Sequence, residues 1–157
     1  MPVYAADSAT HPWLLCRAGS RLCALPLETV IEVMRPLPVE PLAGSPPFVL
    51  GLCIHRGAPA PVVDAGLLFG EATVRADRLV AIRAGSRTIG LVFSAVVGLR
   101  SIGADLAAKL PPLLREAAGE VVTTIATLDA ELLHVLDTAR MAPDLALEAA
   151  VAASARP

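Results

Sequence analysis

A chain of 157 residues with a net charge of −2 is long enough for one domain, or for two small domains that share an interface. The slightly acidic balance argues against a general nucleic-acid-binding protein, which would usually carry a basic stripe. Apolar residues make up 55% of the sequence, yet no uninterrupted apolar stretch approaches the roughly 20 residues that cross a bilayer. Because no secretory signal pattern opens the sequence, we expect a cytoplasmic protein without direct membrane insertion.

Residues 1–12 show no pattern and are predicted to form a loose leader. Residues 13–27 predict a hairpin with its turn at Gly19-Ser20, since glycine at the first central position fits a type II′ turn. Counting outward from this turn pairs Cys16 with Cys23 on the face that we assign to the core. The leucines assigned to the same face are Leu14, Leu25 and Leu27.

The chain has three cysteines, of which the third is Cys53. An odd number without a metal-type spacing does not indicate a disulfide framework or a structural zinc site. We therefore predict that the cysteines are buried as small hydrophobic side chains. Whether Cys16 and Cys23, which face each other in the predicted hairpin, ever pair is left open by the sequence.

The segment from Leu27 to Arg35 is predicted to be a short helix, because Pro26 suits a first helical turn and Pro36 ends it. Its outer side would carry Glu28 and Glu32 one turn apart, which is most simply a solvated face. Its inward face would hold Leu27, Val30, Ile31 and Met34. Five prolines in residues 36–47 then predict an extended connector.

The stretch 48–64, FVLGLCIHRGAPAPVVD, predicts the hairpin around which the chain is organised. Two apolar runs flank a bend at His55-Arg56-Gly57. A charged side chain held at the tip of a rigid hairpin is well placed to be recognised by another molecule, although a solvated turn residue is the alternative interpretation of Arg56. Asp64 is predicted to cap the helical turn at 65–70.

The pentapeptide RAGSR occurs at residues 17–21 and again 66 residues later, at 83–87, inside a hairpin predicted for 78–93. A short helix is expected at about 105–110. The segment 121–137 then resembles the central hairpin, with its bend near Asp129-Ala130 and its end in Val-Leu-Asp rather than Val-Val-Asp.

This repetition predicts a mainly β protein of two small five-stranded barrels packed together. The first barrel is placed at about 13–70 plus C-terminal elements, and the second at about 78–137. The residues after Asp137 are predicted to form a C-terminal helix, with 149–157 as a frayed tail.

No catalytic or phosphate-binding motif is present in the sequence. Cys53, His55 and Asp64 share one hairpin, but two candidate ligands and a distant carboxylate make a poor metal site. Residues two apart on one strand rarely form an activated Cys–His pair. We therefore expect no enzyme activity, no metal and no cofactor.

The order of these elements resembles the CheW family, the adaptors of bacterial chemotaxis arrays, from Trp13 to Met141. The most specific match is the central stretch, where that family commonly reads P-x-F-[VI]-x-G-x-x-N-L-R-G-x-x-x-P-V-V-D-L. The matching residues are Pro46, Phe48, Gly51, Arg56, Gly57, Pro61, Val62, Val63 and Asp64. The chain departs from the pattern at Ile54-His55, where the family has Asn-Leu, and after Asp64, where Ala65-Gly66 replaces Leu-Arg.

The resemblance implies a single CheW-like domain over 13–141, built from two SH3-like five-stranded β-barrels with short helices. It implies a non-catalytic adaptor that couples the cytoplasmic tip of a chemoreceptor to the regulatory domain of a CheA-type histidine kinase, at membrane-associated receptor arrays. The receptor-contact positions that it implies are Val30, Glu32, Gly51, Arg56 and Gly57. The departures before Arg56 imply a differently shaped bend or a non-standard receptor.

Two alternatives stay open at this point. One is an adaptor of the same fold in a non-chemotactic sensory or surface-motility pathway. The other is a small enzyme or ligand-binding β-barrel domain, which would need a pocket with convergent polar groups.

Overall fold

The computed structural model describes residues 10–103, 107–109, 122–129 and 131–138, and these are mainly strands. The strands are β1 Thr10–Ala18, β2 Arg21–Pro26, β3 Val30–Met34, β4 Val49–His55, β5 Ala58–Asp64, β6 Arg78–Ala84, β7 Arg87–Phe93, β8 Ala95–Gly103, β9 Ala107–Lys109, β10 Val122–Leu128 and β11 Glu131–Leu136. A 3-10 turn, Leu27–Thr29, precedes β3, and one helical turn, α1 Ala65–Leu68, follows β5. Within the described ranges, no helix has the length and apolarity needed to span a membrane.

The strands form two sheets. Sheet A has six strands in the order β8-β1-β2-β11-β10-β9, and sheet B has five in the order β3-β6-β7-β5-β4. Sheet membership therefore does not follow the two halves predicted from the repeat. Sheet B takes the middle of the chain, whereas sheet A combines the first hairpin with the strands that follow residue 94.

The duplicated hairpins explain this arrangement, because the strand that follows each hairpin pairs in the other sheet. In sheet A, β1–β2 turns at Gly19, and in sheet B, β6–β7 turns at Gly85, with the same φ of 63° at both glycines. After the first hairpin, β3 pairs with β6, and after the second hairpin, β8 pairs with β1. The remaining hairpins join in parallel, β11 beside β2 and β5 beside β7. The predicted repeat is thus confirmed, but with exchanged strands.

The predicted helix from Leu27 to Arg35 is wrong. Only Leu27–Thr29 forms a 3-10 turn, and the next five residues form β3, in which Val30 lies opposite Ile82 of β6. β-Branched side chains dominate this segment, and such residues pack well on a pleated surface and lose rotamer freedom in a helix. Glu28 and Glu32 therefore do not share a helical face.

Two further predictions need correction. The leader does not extend to residue 12, because His11 and Pro12 already pair with Ile102 and Ser101 as part of β1. The helix expected at about 105–110 is replaced at 107–109 by β9, which pairs with β10. Residues 1–9, the C-terminal helix and the tail lie outside the described residues.

The main core lies between the sheets and draws on both of them. Leu25 of sheet A and Phe93 and Ile82 of sheet B are each completely buried in it. Sheet A has a second cluster on its other face, which includes Leu15 and Leu133, with Trp13 packed against it. Sheet B has its own second cluster, centred on Val62 and Leu79. Burial of this extent, shared by two sheets, predicts that they unfold together.

The local predictions for the first hairpin and for Asp64 are confirmed. Cys16 lies opposite Cys23, and all three cysteines are free and buried. Burial raises the pKa of the Cys16 thiol to about 12 and that of Cys23 still further, so neither thiol is reactive. Asp64 caps α1 by accepting a hydrogen bond from the Leu67 backbone N–H at 3.0 Å.

Candidate functional site

The two edge strands of sheet B meet through side chains at one end of the β4–β5 hairpin. β3 and β4 lie at opposite edges of the sheet. Glu32 of β3 nevertheless approaches the end of β4, where its Oε1 lies 2.6 Å from His55 Nε2. The same oxygen accepts a hydrogen bond of 3.1 Å from Nε of Arg56, the next residue. We call Glu32, His55 and Arg56 the Glu32 cluster.

Exposure increases from the inside of the Glu32 cluster outward. The side chain of His55 is 8% exposed, that of Glu32 is 36% exposed, and that of Arg56 is 65% exposed. The hydrogen bond with His55 lowers the pKa of Glu32, and the charge of Arg56 adds to this effect. Glu32 is therefore a carboxylate at neutral pH. Because a carboxylate can only accept, Nε2 of His55 must carry a proton and donate it.

The backbone at the tip is a tight two-residue turn. Arg56 has φ 50° and Gly57 has φ 80°, so both central residues are left-handed, as in a type I′ turn. His55 consequently belongs to β4 and not to the bend. A left-handed conformation is uncommon for a residue with a long side chain, and Asn, Asp or Gly would adopt it at lower cost. An arginine here points to a role for its side chain.

Gly51 is fixed by a close backbone approach rather than by the tip. The connector crosses the outer edge of β4, where Glu40 and Leu52 form two backbone hydrogen bonds of 2.8 Å. A Cβ atom on Gly51 would lie 2.0 Å from the Glu40 carbonyl oxygen, and its φ of 148° is itself disfavoured for other residues. The absence of a side chain at Gly51 thus has a structural cause.

The structure brings together three of the five predicted site residues. Glu32, Arg56 and Gly57 lie at the tip of the β4–β5 hairpin, whereas Gly51 packs under the connector. Val30 lies on the same strand as Glu32 and is half-buried against the shared core. The sequence places His55 in the bend and makes it a candidate metal ligand, but it does not predict the contact of His55 with Glu32. The position of His55 two residues after the buried Cys53 places it on the same face of β4 as the second cluster of sheet B, where an enclosed imidazole needs a polar partner.

Sheet A has a similar contact at the equivalent turn. Asp129, between β10 and β11, has the same φ of 50° as Arg56 and lies 73 residues further along the chain. Arg100 of the edge strand β8 donates a hydrogen bond of 3.2 Å to Asp129 Oδ2. The charges are reversed relative to sheet B. Both side chains are well exposed, Arg100 at 47% and Asp129 at 75%.

A comparison with protein families matches the CheW-like domain to residues 12–146, which is most of the chain. The chain is also 37% identical over 121 residues to protein FrzA of Myxococcus xanthus, a match that covers 74% of each protein.

The chain belongs to the CheW-like domain family.

Other members extend this relationship. The chemotaxis protein CheW of Klebsiella aerogenes is 23% identical over 140 residues, covering 87% of this chain and 84% of that protein. The crystal structure of the scaffolding protein TtCheW from Thermoanaerobacter tengcongensis superposes with a TM-score of 0.71 at 21% identity, over 81% of this chain and 88% of that one. The fold is thus that of the CheW-like proteins, the two-domain SH3-like fold, and the family is one of scaffold and adaptor proteins.

Within this CheW-like fold, the three residues considered as metal ligands have different surroundings. Cys53 belongs to the second cluster of sheet B, and His55 bonds to Glu32. Asp64 accepts hydrogen bonds from Thr73 and the Leu67 backbone. In the part of the chain that the structure describes, no three histidine, cysteine or acidic side chains are grouped as metal ligands would be.

An open groove runs between the connector and the outer edge of β4. Its lining is mostly apolar, with Glu40 as the acidic residue, and it includes the exposed Ile54. A ligand-binding site for a small polar molecule would need several polar groups that converge in the cavity. The lining of this groove does not have that character.

Proposed function

We propose that this CheW-like protein is a non-catalytic adaptor that couples the cytoplasmic tip of a chemoreceptor to the regulatory domain of a CheA-type histidine kinase. The observation that carries the proposal is the Glu32 cluster, which displays an exposed arginine on a rigid turn of a CheW-like domain. Such an adaptor would act in the cytoplasm at receptor arrays, with no bound cofactor and no nucleic-acid partner.

The proposed receptor surface follows β3 and the β4–β5 tip. A receptor helical hairpin would lay an apolar stripe along the half-buried Val30 and place an acceptor group against Arg56. Glu32 and Gly57 support this contact by bracing Arg56 and by forming the turn. Gly51 contributes indirectly, because it allows the connector to pack against β4. The kinase would bind elsewhere on the protein, so that both partners can be held at once.

A second candidate is an adaptor of the same fold in another sensory or surface-motility pathway. The observation that supports this candidate is the sequence identity to FrzA, which is higher than the identity to the chemotaxis protein CheW. This candidate has the same tip and differs only in its partners. A small-molecule-binding domain is less well supported, since the groove beside β4 is mostly apolar.

The test is a binding experiment with two purified probes from the same genome, the regulatory domain of a CheA-type kinase and the cytoplasmic tip fragment of a chemoreceptor. We expect each to bind with a Kd of about 10 µM or tighter, and both to bind simultaneously. Failure of a folded protein to bind either probe would reject the chemotactic assignment and favour partners from another pathway.

A further inference from the structure

His55, at the end of β4, has a specific geometry within the Glu32 cluster. Its imidazole is almost completely enclosed, and its Nε2 makes the shorter of the two contacts to Glu32 Oε1, 2.6 Å against 3.1 Å for Arg56. The charged groups that face it among the described residues are Glu32 from β3 and Arg56 from the turn.

The shared oxygen determines how Arg56 can be used. Arg56 donates only its Nε–H to Glu32, and its two outer nitrogens have no partner among the described residues. A free carboxylate beside an arginine tends to form a two-pronged pair that occupies an outer nitrogen as well. Here Oε1 has a second partner, Nε2 of His55, besides Nε of Arg56. The side chain of Arg56 is 65% exposed, so its outer nitrogens are accessible to another molecule.

We propose that His55 is a positioning residue that holds the Glu32 carboxylate, keeps the outer nitrogens of Arg56 available for an acidic or carbonyl acceptor of the receptor, and makes this binding depend on pH. This inference rests on the proposed function and adds a residue and a form of regulation to it.

The direction of the pH dependence follows from the charges of the cluster. With a neutral imidazole, the carboxylate of Glu32 and the guanidinium of Arg56 cancel. An imidazole generally gains its charge between about pH 8 and pH 5. Glu32 stays ionised in this range, because its pKa is lowered, and protonated His55 still donates through Nε2. Protonation of His55 would therefore take the tip from neutral to a charge of about +1, and the tip would then attract an acidic acceptor more strongly.

The positioning role is tested without any partner, by following the carboxyl carbon of Glu32 by NMR during a pH titration. In the full chain carrying His55→Leu, the midpoint of Glu32 should rise towards the value of an ordinary glutamate, 4.5. In His55→Gln, whose amide donates a hydrogen bond but cannot become charged, it should rise less. An unchanged midpoint in a folded His55→Leu protein would overturn the inference.

The partner role is tested with the chemoreceptor tip fragment as probe, at pH 8 and at pH 6. Wild type should bind about threefold to tenfold more tightly at pH 6, and His55→Leu should bind about threefold to tenfold more weakly than wild type at pH 8, the range of one hydrogen bond. His55→Gln should recover affinity at pH 8 without the pH dependence. His11→Gln, at an exposed site on β1, is the control, and its binding should show the same pH dependence as wild type.

The two experiments separate this inference from the proposed function. If wild type does not bind the probe, the proposed function and the partner role both fail, whereas the titration still decides the link between His55 and Glu32. If wild type binds equally at both pH values, or His55→Leu binds as wild type does, the partner role of His55 is overturned and the adaptor function stands.

Discussion

Sheet A and sheet B each bring an edge strand against the tip of a hairpin, but the two contacts differ in burial and in chemistry. In sheet A, Arg100 and Asp129 form an ion pair that is largely in solvent. In sheet B, a buried imidazole backs the ion pair of Glu32 and Arg56. Exposed pairs contribute little because water screens them, whereas a partly enclosed group is held in one geometry.

The difference teaches that a duplicated backbone does not imply a duplicated function. Arg56 and Asp129 have the same φ and sit on equivalent turns. What separates them is a third side chain, since His55 of β4 also bonds to the carboxylate that contacts Arg56. We therefore expect binding to depend on the sheet B tip, and folding to depend on both sheets.

The largest expected effect comes from placing a carboxylate in either sheet. Val62 in sheet B and Val135 in sheet A occupy equivalent positions, each on the strand that joins in parallel, and both are buried. Val62→Asp and Val135→Asp should each unfold the whole chain, because a lone buried carboxylate costs several kcal/mol against a marginal stability. Circular dichroism and the fluorescence of Trp13, the single tryptophan, provide the measurement.

The milder Val62→Ala keeps this prediction informative if the aspartates are insoluble. It should lower the free energy of unfolding by about 1–3 kcal/mol. The unfolding transitions followed by Trp13 fluorescence and by circular dichroism should have the same midpoint, although Trp13 packs against sheet A. Val97→Asp, at a 55% exposed site, should be tolerated. Two separate transitions in Val62→Ala would show that the sheets fold independently.

A smaller effect distinguishes two edge strands, β4 of sheet B and β8 of sheet A. Gly51 and Gly98 have nearly the same φ, 148° and 150°, but only at Gly51 would a Cβ atom meet neighbouring atoms within 4 Å. Gly98→Ala should cost about 1–2 kcal/mol through backbone strain alone. Gly51→Ala should cost about 1–3 kcal/mol more, because the connector must move. Urea unfolding measures both, and equal costs would refute the close approach of Glu40.

The smallest effect concerns Glu131, which pairs with both terminal nitrogens of Arg17 in sheet A. The hydrogen bond with Arg17 lowers the pKa of Glu131 below its usual 4.5. The pair therefore stabilises the fold fully above about pH 4.5 and loses its effect as the pH falls through the folded-state value. Glu131→Gln should lower Tm by no more than about 3 °C at pH 7, and by less at pH 3.

The exposed Glu28 supplies the control for this measurement. Glu28→Gln should leave the Tm unchanged at both pH values. A Glu131→Gln protein whose deficit in Tm grows on acidification would contradict the lowered pKa.

Local turn chemistry explains which parts of this fold could be predicted. The hairpins around Gly19, Arg56, Gly85 and Asp129 were predictable because their turns depend on neighbouring residues. β3 was not, because its partner β6 lies far along the chain and only this pairing selects a strand over a helix. The exchange of strands between the two repeats is equally non-local, and a repeat in sequence does not contain it.

The same reasoning applies to the site. Arg56 was predictable, since a charged residue in a short turn between apolar runs must be displayed. The contact of His55 with Glu32 was not, because it requires the two opposite edges of sheet B to meet. Once Glu32 is assigned to a helix, as the prolines around it suggest, no local pattern places it beside β4.

The most direct test of the account compares Arg56→Ala with Asp129→Ala, two variants at equivalent turns, in binding to the chemoreceptor tip fragment. We expect Arg56→Ala to weaken binding by about 1–3 kcal/mol, or about 5-fold to 150-fold, with its melting temperature nearly unchanged. Asp129→Ala should bind within about twofold of wild type, because its pair is well exposed to solvent. Equal losses in the two variants, or full affinity in Arg56→Ala, would contradict a receptor site at the sheet B tip.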